Sequence, residues 1–209
     1  MRKPLLSLTL AAGLLATGGL AARAAVDAEP IPAEFLQQFV PFAIQIIQQQ
    51  FPNPPVKVDP NADKATGYHV QETVGLVALP DKNLTAKAVE GAGEKDVPVA
   101  VIATRALTLQ DKDANVPNEK VAVADLNMMF KVPVFFIGAK GNGEERTLHV
   151  YGKDGTPLTS TPLRKAAVAG DEPLSLKLSN IDLEKKKADL TVGVAGAYEG
   201  TLKLGVHDF

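Results

Sequence analysis

The spacing of apolar residues along the chain changes near residue 66. Between Glu34 and Phe51 apolar side chains recur at helical spacing, and glutamines occupy the opposite side, which predicts an amphipathic helix. Pro41 lies inside this segment and removes one backbone donor, so we expect it to kink the helix or to begin a second one. The next stretch, residues 52–67, is rich in proline and Asx residues and predicts a linker.

Beyond the linker the apolar residues alternate with polar or small ones, which is typical of strands that bury one face. Pro133 should mark a break or an edge position between two of the predicted strands. The aromatic residues Phe130, Phe135 and Phe136 are expected near the centre of the core. The strand segments are residues 68–80, 96–110, 119–132, 133–140, 145–152, 173–181, 188–197 and 200–209.

These segments predict a mainly β fold. About eight short strands, separated by turn residues, favour an antiparallel β-sandwich or an open barrel, preceded by one amphipathic helix. The division that follows is a leader at residues 1–25, a helical arm with a Pro-rich linker at residues 26–65, and a β-domain at residues 66–209.

The leader has the features of a secretory signal peptide. Arg2 and Lys3 precede an apolar stretch from Leu5 to Leu20, and Ala22-Arg23-Ala24 fits a small-residue cleavage site. The alternative is a transmembrane anchor, but the apolar run is short for a span of about 20 residues. We therefore expect an exported protein, periplasmic or secreted, with no transmembrane anchor after cleavage.

Charge and composition narrow the possible partners. The full sequence has a net charge of −2, and removal of Arg2, Lys3 and Arg23 with the leader makes the mature chain more acidic. Nucleic-acid binding needs a basic face, so we expect no nucleic-acid partner. Cysteine and tryptophan are absent, which excludes disulfide and thiol chemistry and weakens a carbohydrate-binding role. No cofactor motif is found, and we expect no cofactor.

One loop resembles a calcium-binding sequence in part. Asp111, Asp113 and Asn115 stand at alternate positions, and Glu119 follows, so oxygen ligands recur as in an EF-hand. Counted from Asp111, however, Val116 stands where the loop needs glycine, and alanine stands where it needs the bidentate glutamate. Asx side chains also cap turns without any metal. A polar turn is the favoured interpretation, and these four residues remain the calcium candidates.

Catalytic motifs are absent from the sequence. His69, His149 and His207 lie on predicted strands without a second ligand at metal-binding spacing. Ser160 lies in a Pro-flanked segment that predicts a turn, and no serine lies in a G-x-S-x-G elbow. Acids and histidines can still assemble in space. Asp125 and Arg105 are candidates for a buried charged pair or, alternatively, for edge or end-of-strand positions.

The favoured function is that of an exported, non-enzymatic β-module that binds or supports a macromolecular partner. The alternatives are a small exported hydrolase with a spatially assembled Asp/His site and a calcium-stabilised surface module. The apolar stripe of the predicted helix is too wide for a solvated helix. It should either pack on the module's own sheet or dock into a partner or a second copy. The candidate interaction residues are Phe35, Phe39, Ile46 and Ile47.

Overall fold

The computed structural model describes residues 28–70, 74–126 and 130–206, without the side chain of Phe130. The leader at residues 1–25 and His207 lie outside this range. The helices are α1 (Ala33–Gln50) and α2 (Ala86–Glu90). The strands are β1 (Glu29–Pro30), β2 (Thr66–Val70), β3 (Val74–Pro80), β4 (Val97–Arg105), β5 (Leu107–Asp111), β6 (Ala114–Asn115), β7 (Ala122–Leu126), β8 (Phe130–Asn142), β9 (Glu145–Tyr151), β10 (Pro157–Lys165), β11 (Leu174–Asp182), β12 (Lys187–Val194) and β13 (Tyr198–Val206).

The strands form one open, curled antiparallel sheet. Its main path runs β1-β2-β3-β4-β8-β9-β10-β13-β12-β11, with β5 paired to β13 and β7 paired to β8. The curl brings β11 alongside β2. The prediction of a mainly β, antiparallel protein with one preceding amphipathic helix is confirmed. The arrangement is a single curled sheet, and it contains more strands than the eight or so that were predicted.

The additional strands come from breaks that the alternating pattern does not reveal. The segment predicted as one strand at residues 68–80 is a hairpin, in which Val70 pairs with Val74. The strand predicted at residues 96–110 divides at Ala106, whose φ is 55°. Strand β10 was predicted as a turn because it contains Pro157 and Pro162. These prolines are tolerated because β10 pairs with β13 only at Arg164 and Lys165, so most of its second edge is unpaired.

Two apolar cores lie on opposite faces of the curled sheet. Phe135 belongs to the core inside the curl, and its neighbour Phe136 belongs to the core on the outer face. Each is only 2 % exposed. The expectation that Phe135 and Phe136 lie in the core is therefore confirmed, and the structure places them on opposite faces of one strand. Pro133 lies inside the continuous strand β8, at a place where β8 pairs with β7 but no longer with β4, which is an edge position.

Helix α1 covers the outer face of the sheet. It runs from Ala33 to Gln50 with Pro41 inside it, so no second helix begins at the proline. Its buried residues recur at helical spacing: Leu36, Val40, Ala43, Ile46 and Ile47. All of these except Ala43 share the outer core with β3, β4, β7 and β8. Among the described residues no helix combines the length and apolarity needed to cross a membrane.

Polar contacts attach the C-terminal end of α1 and the linker that follows it to the sheet. At the C-terminal end of the helix the Gln50 side-chain amide donates to the Asp125 carbonyl, and its oxygen accepts from the Asp125 N–H, both at 2.9 Å. In the linker Val56 is buried in the outer core. The buried Asp81 carboxylate accepts from the Asp59 and Asn83 N–H groups at 2.7 and 2.8 Å. The linker is thus attached to the sheet, which limits how far the helix can move away.

Candidate functional site

An apolar groove lies between the first half of α1 and the outer face of the sheet. Its volume is about 450 Å³, which is within the range of small-molecule binding sites. The described lining is apolar except for His69, Thr104 and Arg105, and the Thr104 hydroxyl donates to the Leu107 carbonyl at 2.7 Å. The apolar residues that shape the groove come from the helix, its entry and three strands: Ile31, Phe35, Phe39, Val77, Ala103 and Val132.

Small residues on the outer face of the sheet leave room for this groove. Gly75 on β3 and Ala103 on β4 line it directly, and Gly67 on β2 pairs with Val77. A Cβ on Gly67 would stand 2.9 Å from Ile31 Cδ1, so this glycine allows the chain that enters α1 to approach β2. The groove therefore reflects side-chain size on β2, β3 and β4, and it extends past Ala103 to the place where β4 no longer pairs with β8.

The helix side of the groove is aromatic. The rings of Phe35 and Phe39 are stacked, with centroids 5.6 Å apart and an interplanar angle of 16°. They stand one turn apart on the same helix face. Phe35 is 53 % exposed, which is unusual for a large apolar side chain that lines a cavity. The pair forms a wall that any apolar ligand in the groove would contact.

One end of the groove is basic. His69 pairs with Gly75, and Gly75 pairs with Arg105, so the three residues form a row across β2, β3 and β4. Strands in a sheet are about 4.8 Å apart, which places the two basic residues about 10 Å from each other at the backbone. Glu29 Oε2 lies 3.8 Å from His69 Nε2, and Arg105 has an interaction of its own within the protein. The row combines the guanidinium of Arg105 and the imidazole of His69 with a glycine that adds no side chain between them.

A polar network lies at the opposite end of the outer face. The Tyr151 hydroxyl donates to Asp96 Oδ2 at 2.8 Å and lies 3.3 Å from His149 Nδ1. Lys140 Nζ is 3.4 Å from the same Asp96 oxygen. The Asp96 side chain passes over Gly138, where a Cβ would come within 2.6 Å of Oδ1. In the described part of the chain the buried Oδ1 has no hydrogen-bond partner.

The network places a serine beside the histidine. Ser160 on β10 pairs directly with His149 on β9, so the two side chains leave the same face of the sheet. The Tyr151 hydroxyl donates to Asp96, so its oxygen can accept from His149 Nδ1 in the tautomer that carries the proton on Nδ1. In the neutral imidazole Nε2 is then an acceptor, as a general base requires.

The groove and the network are separated along the sheet. Asp96 precedes the first residue of β4, and Arg105 is the last residue of that strand. No protein-family model, curated protein or solved structure matches this chain. The groove offers apolar contact with a basic end, and the network offers groups that can exchange a proton.

The four residues predicted for interaction divide into two pairs. Ile46 and Ile47 are 7 % and 5 % exposed and pack in the outer core of their own chain. Phe35 and Phe39 remain accessible and line the groove. Of these four residues, Ile46 and Ile47 are therefore covered by the sheet, whereas Phe35 and Phe39 are accessible to a ligand or partner.

The expected charged pair is not buried. Arg105 is exposed at the end of β4, and Asp125 is half-buried on β7. Both side chains have partners within the protein. The alternative of an edge or end-of-strand position is correct for both residues: Arg105 is the last residue of β4, and Asp125 lies on β7, which among the described strands pairs only with β8.

The calcium candidates lie on and after a tight hairpin. Asp111 pairs with Ala114, and the two residues between them, Lys112 and Asp113, have φ values of 47° and 67°, as a type I′ turn requires. Asp113 Oδ1 lies 3.4 Å from Lys187 Nζ, and Asn115 Oδ1 accepts from Gln110 Nε2 at 3.0 Å. In the described ranges no three acidic or histidine side chains come close enough to hold a metal, and Glu119 is exposed in a 3₁₀ turn.

Millimolar calcium is expected to leave the melting temperature unchanged. A ligand stabilises a protein only when it binds the native state, and the hairpin presents its oxygens to Lys187 and Gln110 instead. Differential scanning fluorimetry with calcium, magnesium and a chelator provides the measurement. A rise of several degrees with calcium alone, removed by Asp113→Ala, would contradict this expectation.

Burial controls the protonation of the network. It lowers the pKa of His149, and the positive charge of Lys140 acts in the same direction, while the Asp96 charge opposes both. Burial also raises the pKa of Tyr151, as do its hydrogen bond to Asp96 and the charge of that carboxylate. Both groups are therefore held in their neutral forms near neutral pH.

The lowered pKa of His149 should make stability depend on pH. The unfolded state binds a proton on this residue near its ordinary value of 6.5, whereas the folded state resists protonation until the pH is lower. Stability from this source is thus present above 6.5 and decreases as the pH falls below it, by at most about 1.4 kcal/mol per pH unit. Urea unfolding of the wild type and His149→Gln between pH 7 and about pH 5 tests this, and equal slopes would contradict it.

Proposed function

We propose that the protein is an exported, non-enzymatic β-module that binds its partner or ligand through the apolar groove beside α1. The observation that carries this proposal is the accessible, stacked pair of Phe35 and Phe39 above a floor of small residues. Large apolar side chains that remain exposed to solvent at a concave surface are typical of binding sites. The rest of the same helix is buried against the sheet, which holds the aromatic wall in place.

Export is part of the proposal because of the leader. Residues 1–25 carry the charge, apolar stretch and small-residue cleavage site of a secretory signal. The module would then work in the periplasm or outside the cell. The measurement is the N-terminal sequence of the protein recovered from the exported fraction. A mature N-terminus near Val26 supports export, and an intact Met1 in the cell interior contradicts it.

The groove can be tested with an apolar fluorescent probe. N-phenylnaphthylamine should bind the purified full-length chain and brighten as it leaves water. Ala103→Phe adds a ring at a position that faces the groove and should weaken probe binding by about tenfold or more. Val168→Phe is the matched control, since Val168 is 84 % exposed and does not line the groove.

The control separates filling of the groove from a general change in hydrophobicity. Thermal unfolding of both variants shows whether they keep the wild-type fold. If folded Ala103→Phe binds the probe as tightly as the wild type, the groove is not the binding site. If neither the wild type nor the Val168→Phe control binds the probe, the proposed binding function fails.

The polar network supports a second candidate, a hydrolase that uses Ser160 as nucleophile and His149 as general base. The observation in its favour is the direct pairing of these two residues, with Tyr151 and Asp96 orienting the imidazole. Short p-nitrophenyl esters are the test substrates. Cleavage that is lost in both Ser160→Ala and His149→Gln supports this candidate, and an absence of cleavage by the wild type rejects it for this class of ester.

A further inference from the structure

The basic row at one end of the groove bears on the kind of ligand it would take. His69 and Arg105 lie opposite Gly75 on the two neighbouring strands, and the glycine itself places no side chain between them. A guanidinium has five N–H donors and matches a carboxylate with two parallel hydrogen bonds. His69 and Arg105 each have an interaction within the protein, and a guanidinium has more donors than a single acceptor uses.

The remainder of the groove suits a hydrocarbon chain. Away from the basic row the described lining is apolar, with Phe35 and Phe39 on the helix side and Val77, Ala103 and Val132 on the sheet side. Burial of a methylene group contributes about 0.8 kcal/mol, while a buried polar group without a partner is costly. A chain without polar atoms is therefore favoured in this part of the groove.

The size and form of the site favour a small molecule over a second protein. Small-molecule sites have volumes of about 300–1,000 Å³, and this groove between a helix and the sheet has a volume of about 450 Å³. Its polar groups are confined to one end, so a ligand would enter in one orientation. This distribution of polar and apolar groups complements an amphiphile that has an anionic head and one apolar tail.

We propose that the groove binds a long-chain fatty carboxylate, with the carboxylate between His69 and Arg105 and the tail along Phe35 and Phe39. The proposal rests on the proposed function, because it names the ligand of the same site. Glu29 lies near His69, and its negative charge would repel the carboxylate of the ligand. The carboxylate should therefore lie closer to Arg105 than to His69.

Displacement of bound N-phenylnaphthylamine from the full-length chain tests the head and the tail separately. The competitors are dodecanoate, dodecanol and dodecyltrimethylammonium below their aggregation limits, which share one tail. Dodecanoate should displace the probe at the lowest concentration. Arg105→Gln should weaken dodecanoate by about tenfold and leave dodecanol within about twofold. Arg164→Gln, at an exposed position on β10, is the matched control and should change neither.

The outcomes distinguish this inference from the function on which it rests. If the probe binds in the groove but the carboxylate and the alcohol compete equally in both the wild type and Arg105→Gln, the anionic ligand is wrong while groove binding stands. If no probe binds at all, the binding function itself fails. If native mass spectrometry shows a dimer that Ala103→Phe dissociates, a second copy of the chain occupies the groove, and the fatty carboxylate proposal is overturned.

Discussion

Phe136→Ala is expected to cost about 3–5 kcal/mol of unfolding free energy. The ring is 2 % exposed at the middle of β8, where its backbone pairs with Val101 on one side and Tyr151 on the other. It also meets Phe51 edge to face, with centroids 5.7 Å apart. Removal of the ring would leave a cavity between the sheet and the end of α1, bounded by paired strands that cannot move in to fill it.

Urea unfolding measures this cost, and Phe42→Ala is the matched control. Phe42 has the same side chain as Phe136 but lies on α1 and is 37 % exposed. Its loss should therefore cost no more than about 1 kcal/mol of unfolding free energy. Similar costs for the two variants would show that the outer core is not packed as described. Unfolding free energies of small domains are about 5–15 kcal/mol, so the Phe136 variant should also melt at a much lower temperature.

The inward-facing residues of the sheet could be predicted because alternation identifies them directly. Leu174 and Leu176 on β11, and Leu190 and Val192 on β12, are all buried, as the pattern indicates. The helix was predictable for a similar reason, because apolar residues at helical spacing with glutamines on the opposite side are typical of an amphipathic helix. The period of apolar residues is a local property of the sequence, so the burial pattern that it predicts does not depend on the order of strands in the sheet.

The groove could not be predicted, because it depends on register. Gly75 and Arg105 are thirty positions apart in sequence, and only the antiparallel pairing of β3 with β4 makes them neighbours. A one-residue shift would move every side chain of a strand to the other face. The sequence shows small residues inside strand patterns, which can indicate close approach of backbone or ligand, but it does not show that three strands place them together.

The polar network escaped prediction for a different reason. Asp96 precedes β4 in the chain, while Tyr151 and His149 come from β9, and no spacing rule connects them. Ser160 was assigned to a turn because its segment contains prolines, although it lies in β10. The available signal was the pair His149 and Tyr151, which stand two residues apart and so share one face of their strand.

Deletion of residues 26–60 is expected to prevent folding of the β-domain. The outer face of the sheet would lose the cover of α1 and of Val56, and it would expose a set of side chains that are now buried: Val77, Leu79, Val101, Val134 and Phe136. A contiguous apolar surface of this kind promotes aggregation. Circular dichroism and size-exclusion chromatography of the truncated chain provide the measurement, and a soluble, cooperatively folding product would show that the helix is only a docking arm.

Val40→Asp tests the same contact in the full-length chain. Val40 is 0 % exposed on the helix face that meets the sheet, so the variant places a carboxylate among apolar side chains. An unpaired buried charge costs several kcal/mol, a large fraction of the total stability of a small domain. Gln45→Asp adds the same charge to an exposed position of the same helix and should shift the melting temperature by a few degrees at most. Equal melting temperatures for the two variants would mean that α1 separates from the sheet in solution, and the groove that the helix and the sheet form together would then not persist.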